Sequence, residues 1–146
     1  MYLYKTEKME NIIKIGHGKF WIDSNSILCA QFNNDNPNYR LDSNKVKQYI
    51  EVITKLCNGT AMPFLIDIRD SKGTFSPSAA HLFANSPTLL KLRISEAFVL
   101  NTIGIKLLIA SYKRLYNPNT PYSVFSDIES AKAYCIETKN KFYGSN

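Results

Sequence analysis

The chain has 146 residues, 45% hydrophobic and 21% charged, with 18 lysines and arginines against 12 aspartates and glutamates for a net charge of +6. That length suits one domain, and the composition, with a mean hydropathy of -0.22, excludes both a disordered chain and an integral membrane protein. No apolar run approaches the roughly 20 residues of a membrane span.

Residues 1–10 alternate charge with apolar side chains instead of building a signal sequence. They read as a flexible segment at the start of a single domain covering 1–146, in a cytoplasmic protein. Residues 11–32 read as a hairpin. Ile12, Ile13 and Ile15 lead into an apolar run over 19–22, a polar turn follows at 23–26, and a second run spans 27–32. Residues 33–38, rich in asparagine, form a loop by composition. Asp42 and Ser43 then cap a helix whose apolar residues Val46, Tyr49, Ile50, Ile53 and Cys57 recur at spacings of three and four. Gly59 suits the left-handed end of that helix.

A strand over 63–69 alternates Phe64, Ile66 and Ile68 with Leu65, Asp67 and Arg69. Ser76 followed by Pro77 starts a second helix, with serine as the cap and proline where its missing N–H costs nothing. Ser86 and Pro87 repeat that signal, which predicts a bend and a further turn of helix ending near Arg93. A short buried strand covers 96–100. Helical spacing returns over 102–116 through Ile103, Leu107, Leu108, Tyr112 and Leu115, and Asn117-Pro118 stops it. The last strand is 121–125. Ser126 and Glu129 form a capping box for a final helix carrying Ala131, Cys135, Thr138 and Phe142.

The predicted order is β-β-α-β-α-β-α-β-α, an α/β fold with a mixed, mostly parallel sheet of about five strands and about four helices. In such sheets ligands and partners gather at the carboxyl ends of the strands, which directs attention to the segment from Pro63 to Leu100.

This order, with Pro63-Phe-Leu-Ile-Asp67, the Ser76 helix start, Glu96-Ala-Phe-Val-Leu100 and Val124-Phe-Ser-Asp127, resembles the STAS or SpoIIAA-like domain family. Phe83-Ala-Asn-Ser-Pro87 before Ala97-Phe-Val99 is also similar to bacterial proteins of STAS/SEC14 type. The resemblance covers nearly the whole chain. It implies a SpoIIAA-like fold and a non-enzymatic regulatory or protein-binding module, with the second helix and the loop before it as the contact face. In partner-switching members a serine in an Asp-Ser-Ser-Gly or Asp-Ser-x-Gly motif at the start of that helix is phosphorylated. The matching positions here are Ser76 and Ser78, which lack the aspartate and glycine, and Ser71 within Asp70-Ser-Lys-Gly73, which lies earlier in the loop. The SEC14-type likeness implies a rival, a carrier or sensor of a small apolar ligand such as a lipid, in a pocket walled by Leu82, Phe83, Leu89, Leu92, Leu107 and Leu108.

Other constellations carry less chemistry. Asp67, Arg69 and Asp70 gather at one strand end with Asn101 and Thr102 at another, but no histidine or oxyanion donor is spaced to complete a catalytic site. His17 and His81 have no ligand spacing to cysteine or carboxylate, so no metal and no cofactor is expected. Cys29, Cys57 and Cys135, odd in number and irregular in spacing, read as small buried hydrophobes. Lys91, Arg93, Lys106, Lys113 and Arg114, with Tyr112 and Tyr116, read as a solvated helical face rather than a nucleic-acid interface, since no recognised motif accompanies them.

Overall fold

The computed structural model describes residues 11–144; the expected flexible segment 1–10 lies outside the described residues. A six-stranded sheet runs in the order β1-β2-β3-β5-β7-β8. Its strands are β1 (Ile13–Ile15), β2 (Gly18–Ile22), β3 (Leu28–Asn34), β5 (Met62–Ser71), β7 (Arg93–Val99) and β8 (Tyr122–Phe125). β1, β2 and β3 form an antiparallel meander, while β3, β5, β7 and β8 are mutually parallel. The helices are α1 (Ser43–Cys57), α2 (Pro77–Asn85), α3 (Pro87–Leu92), α4 (Ile103–Tyr116) and α5 (Ile128–Tyr143). A separate two-stranded ribbon pairs β4 (Arg40–Leu41) with β6 (Thr74–Phe75) in parallel. The sheet is thus one strand wider than predicted, because the first apolar run splits at the left-handed Gly16 into two short strands. The bent second helix resolves into α2 and α3, giving five helices among the described residues.

Alternation along the strands divides the core in two. Phe20, Leu28, Ala30, Phe64, Ile66 and Phe98 face one side, where Tyr49 and Ile53 of α1, Leu89 of α3 and Ile109 of α4 pack on them. Cys29, Leu65, Ala97 and Val99 face the other side and meet Ala131 and Cys135 of α5. Among the described residues α5 therefore covers one face and α1, α2, α3 and α4 the other.

Local chemistry sets the helix starts. The Ser76 hydroxyl accepts from the Ala79 N–H at 3.0 Å, the Ser86 hydroxyl from Leu89 at 3.3 Å, and the Asp42 carboxylate from Lys45 at 2.9 Å. Each satisfies an amide that the first turn leaves unpaired. At α5 the cap differs from the predicted serine: Asp127 accepts from the Ser130 N–H at 2.7 Å and its hydroxyl at 3.1 Å, so the helix begins one residue later.

The buried face of α4 also differs from the spacing first read. Ile103, Leu107 and Leu115 are exposed, whereas Ile105, Leu108, Ile109 and Tyr112 face inward. Two apolar stripes coexist on this helix, and the inward one carries Lys113 to a carboxylate buried on β7.

Candidate functional site

Between the four-helix layer and the sheet lies a partly open cavity of about 180 Å³. Its floor is Phe20, Leu28, Ala30, Phe32, Phe64 and Phe98 of the sheet; α1 contributes Tyr49 and Ile53, α2 Ala80 and Phe83, and α4 Leu108 and Tyr112. Phe20, Phe32 and Tyr49 form a mutually packed aromatic trio with ring centroids 5.1 to 5.7 Å apart. The size is comparable to the engineered apolar cavity of about 150 Å³ that binds benzene, and below the roughly 300–1,000 Å³ of drug-sized sites.

The cavity reaches the carboxyl ends of β3 and β5, where backbone hydrogen bonds build a rim. The Asn33 N–H donates to the His17 carbonyl at 3.0 Å, and on the other side of β3 the Lys72 N–H donates to the Asn34 carbonyl at 2.9 Å. Asn34, buried, donates its amide to the Lys72 carbonyl at 2.9 Å and to that of Asn36 at 3.2 Å. Tyr39 closes the rim: its ring meets His17 edge to face at 4.8 Å, and its carbonyl accepts from the Thr74 N–H at 3.0 Å. Leu41 and Phe75 of the β4–β6 ribbon line the cavity as well.

Beside the cavity lies a buried ionic cluster. Glu96 on β7 receives the Lys113 ammonium at 2.5 Å, and Arg93 Nε lies 3.9 Å from its other oxygen, with all three side chains almost wholly out of water. The Arg93 guanidinium also donates to the Phe83 and Ala84 carbonyls at 3.1 and 2.9 Å, tying the end of α2 to β7. Burial pulls the Lys113 ammonium below the usual lysine range, and the Glu96 charge and hydrogen bond work against that shift. Tyr112, whose ring lines the cavity, has its phenol pushed upward by burial and by Glu96, so it stays protonated. Arg93 and Lys113 therefore leave the basic set read as a solvated face, because each is drawn inward by Glu96; Lys91, Lys106 and Arg114 remain exposed. The signal for this cluster was a glutamate inside a strand whose every other feature marks it as buried.

Of the polar residues predicted at the strand ends, Asp67 and Arg69 fall on the other side of the sheet. They share the α5 face with Trp21, Gln31, Ile128 and Lys132 in a second cleft of mixed lining, and Arg69 grips Asp67 through two bonds of 3.0 and 2.8 Å. Burial works to raise the Asp67 carboxyl, but the side-chain and backbone bonds from Arg69 outweigh it and hold the group below the usual carboxylate range. Asp67 is only 5% exposed, so this pair is more than a surface contact. Asp70 and Asn101 are exposed and Thr102 caps α4, accepting from the Ile105 N–H at 3.2 Å. The pleat thus separates Asp67 and Arg69 from Ser76 and the apolar cavity.

Ser76 caps α2 and lies 3.1 Å, oxygen to oxygen, from the exposed Ser78, while Ser71 lines the cavity near the end of β5. Of the six residues predicted to wall an apolar pocket, Phe83 and Leu108 line the cavity; Leu89 and Leu92 are packed in the core, Leu82 is not part of the lining, and Leu107 is 65% exposed. The cavity is displaced toward α1 and the sheet because α3 packs Leu89 and Leu92 tightly against β7 and α1. Phe20, Phe32, Tyr49 and Tyr39 were missed as lining residues, since a buried aromatic on a strand or helix looks the same in sequence whether it meets another side chain or a void. All three cysteines are buried, and burial raises Cys29 and Cys135 to about 12 and Cys57 to about 11. Among the described residues no group of three or more histidine, cysteine, aspartate or glutamate side chains is placed to hold a metal ion, and no helix is long and apolar enough to cross a membrane.

An antiparallel meander leading into parallel strands, with α5 behind the sheet and α1 to α4 in front, is a SpoIIAA-like arrangement. The crystal structure of an uncharacterized protein from the DUF3478 family with a SpoIIAA-like fold, from Shewanella loihica PV-4, is similar over 85% of this chain and 90% of that one, with a TM-score of 0.52 and 14% identity. The chain belongs to the family described as Domain of unknown function (DUF7793), whose model matches residues 20–139. No curated protein sequence matches it.

Proposed function

We propose that this protein is a non-enzymatic binding module for a small apolar ligand about the size of a single ring, held between α1, α2, α4 and the sheet. The observation that carries this reading is the aromatic-lined cavity of about 180 Å³, which connects to solvent through a rim of hydrogen-bonded loops. An interior packed to ordinary density leaves few voids larger than a water molecule. A full-length lipid chain does not fit this volume, so the ligand is smaller than the SEC14-type likeness implies.

Nuclear magnetic resonance titration of the protein with toluene tests the reading. Amide shifts are expected in β3, β5, α1 and α4, and Ala80→Leu, which fills the cavity from α2, abolishes them while keeping the urea midpoint within the range of the parent. Shifts that persist unchanged in Ala80→Leu, or none in the parent, would overturn it.

A regulatory protein contact is the second reading, favoured by the exposed stripe Ile103, Leu107 and Leu115 on α4. The inner face of the same helix lines the cavity, so ligand occupancy and a partner bound on the outer face would act on one element.

A further inference from the structure

We infer that the ligand of the apolar cavity carries a carboxylate, its hydrocarbon body among the aromatic side chains and its charged end at the rim between His17 and Lys72; this rests on the cavity being a ligand site. Among the cavity-lining residues no aspartate or glutamate occurs, and apart from the tyrosines the ionisable side chains are His17 and Lys72. Both stand at the same end of the cavity for a backbone reason. β3 ends between them, with the Asn33 amide bonded to the His17 carbonyl and the Asn34 carbonyl bonded to the Lys72 amide. Two backbones flanking one strand stand about 10 Å apart, a span across which a lysine and an imidazole can converge on one small anion. The buried Asn34 amide locks Lys72 by its carbonyl, and His17 is braced by the Tyr39 ring.

The surrounding carboxylates do not cancel this pair. Asp42 is held as the cap of α1 by the Lys45 amide, and Asp35 and Asp70 are exposed and outside the lining. Lys45 adds to the positive side, its chain end passing 3.5 Å from where a Cβ on Gly16 would lie. The pairing of an apolar chamber with the Lys72 ammonium and the His17 imidazole confined to its mouth matches an aryl or short alkyl carboxylate, the charge staying hydrated at the rim while the body is desolvated.

Calorimetric titration with phenylacetate, phenylacetamide and phenethylamine separates the possibilities, because the three share one ring and differ in the charge of the end group. Phenylacetate is expected to bind at least five-fold more tightly than the amide and the amine. Lys72→Gln removes that preference without changing the affinity for the amide, and Lys72→Arg retains it. Equal affinity for acid and amide would overturn the carboxylate assignment while leaving the cavity a ligand site. Absence of binding by all three, with Ala80→Leu indistinguishable from the parent toward toluene, would overturn both.

Discussion

Glu96 is 0% exposed on a central strand, flanked by two cations that are themselves buried. Removing a carboxylate from water costs several kcal/mol, and the attraction of Lys113 and Arg93 offsets this only while both partners stay in place. Arg93 is additionally held by two carbonyls at the end of α2, so it cannot swing to replace Lys113 without releasing them. Lys113→Met should therefore destabilise the protein by about 3–5 kcal/mol, the cost of leaving a buried charge uncompensated. Glu96→Gln combined with Lys113→Met should recover at least half of that loss. A double-mutant cycle by urea unfolding checks both statements, and additive effects of the two substitutions would show that the pair is not coupled.

The β4–β6 ribbon depends on Gly73, which precedes it at φ +90, with a Cβ placed there falling 2.3 Å from the Tyr39 carbonyl oxygen. No L side chain fits that approach, and the same carbonyl is the one that pairs with Thr74. Gly73→Ala should cost about 1–3 kcal/mol and speed hydrogen exchange at the Thr74 amide, while the amides of β7, far from the rim, keep their protection. An unchanged Thr74 exchange rate would mean the ribbon tolerates the shift. The ribbon was invisible in the sequence because it pairs two-residue segments from separate loops, and neither carries a strand pattern. The helix starts were readable since capping involves neighbours: Ser76 with Pro77 and Ser86 with Pro87 announce themselves. Asp127 and Ser126 are both good caps, and only the path of the chain chooses between them. On α4 two apolar stripes compete, and the winner is set by Glu96, 17 residues away from Lys113, which no local pattern reports. The carboxyl-end rim at Ser71 and the Phe83 wall were within reach of the sequence; the void above Phe20 and Phe64 depends on packing density and was not.

At the scale of the whole molecule, Asp67, Cys29 and Cys135 on the α5 face and Cys57 on the opposite face shape how stability responds to pH. The Asp67 carboxyl is held below its ordinary value by Arg69, so its contribution is present above the unfolded carboxylate value near 4 and is lost as pH falls through the folded value. At the other extreme the folded thiols of Cys29, Cys57 and Cys135 stay protonated until about 12, 11 and 12, while in the unfolded chain they ionise near 9. The unfolded state then releases protons that the folded state retains, and stability falls as pH rises above that value. Urea midpoints measured from pH 3 to 10 should show a plateau with a decline on each side. Asp67→Asn should lower the plateau and flatten the acid decline. The triple variant Cys29→Ala, Cys57→Ala, Cys135→Ala should lower the plateau through lost packing and flatten the decline between pH 9 and 10, before most tyrosines titrate. If the alkaline decline survives in the triple variant with its slope intact, the thiols are not its source. Because Cys29 and Cys135 pack together behind the sheet while Cys57 and the cavity lie in front, the double variant Cys29→Ala, Cys135→Ala should also leave toluene binding unchanged, which separates the stability of the fold from the working of the site.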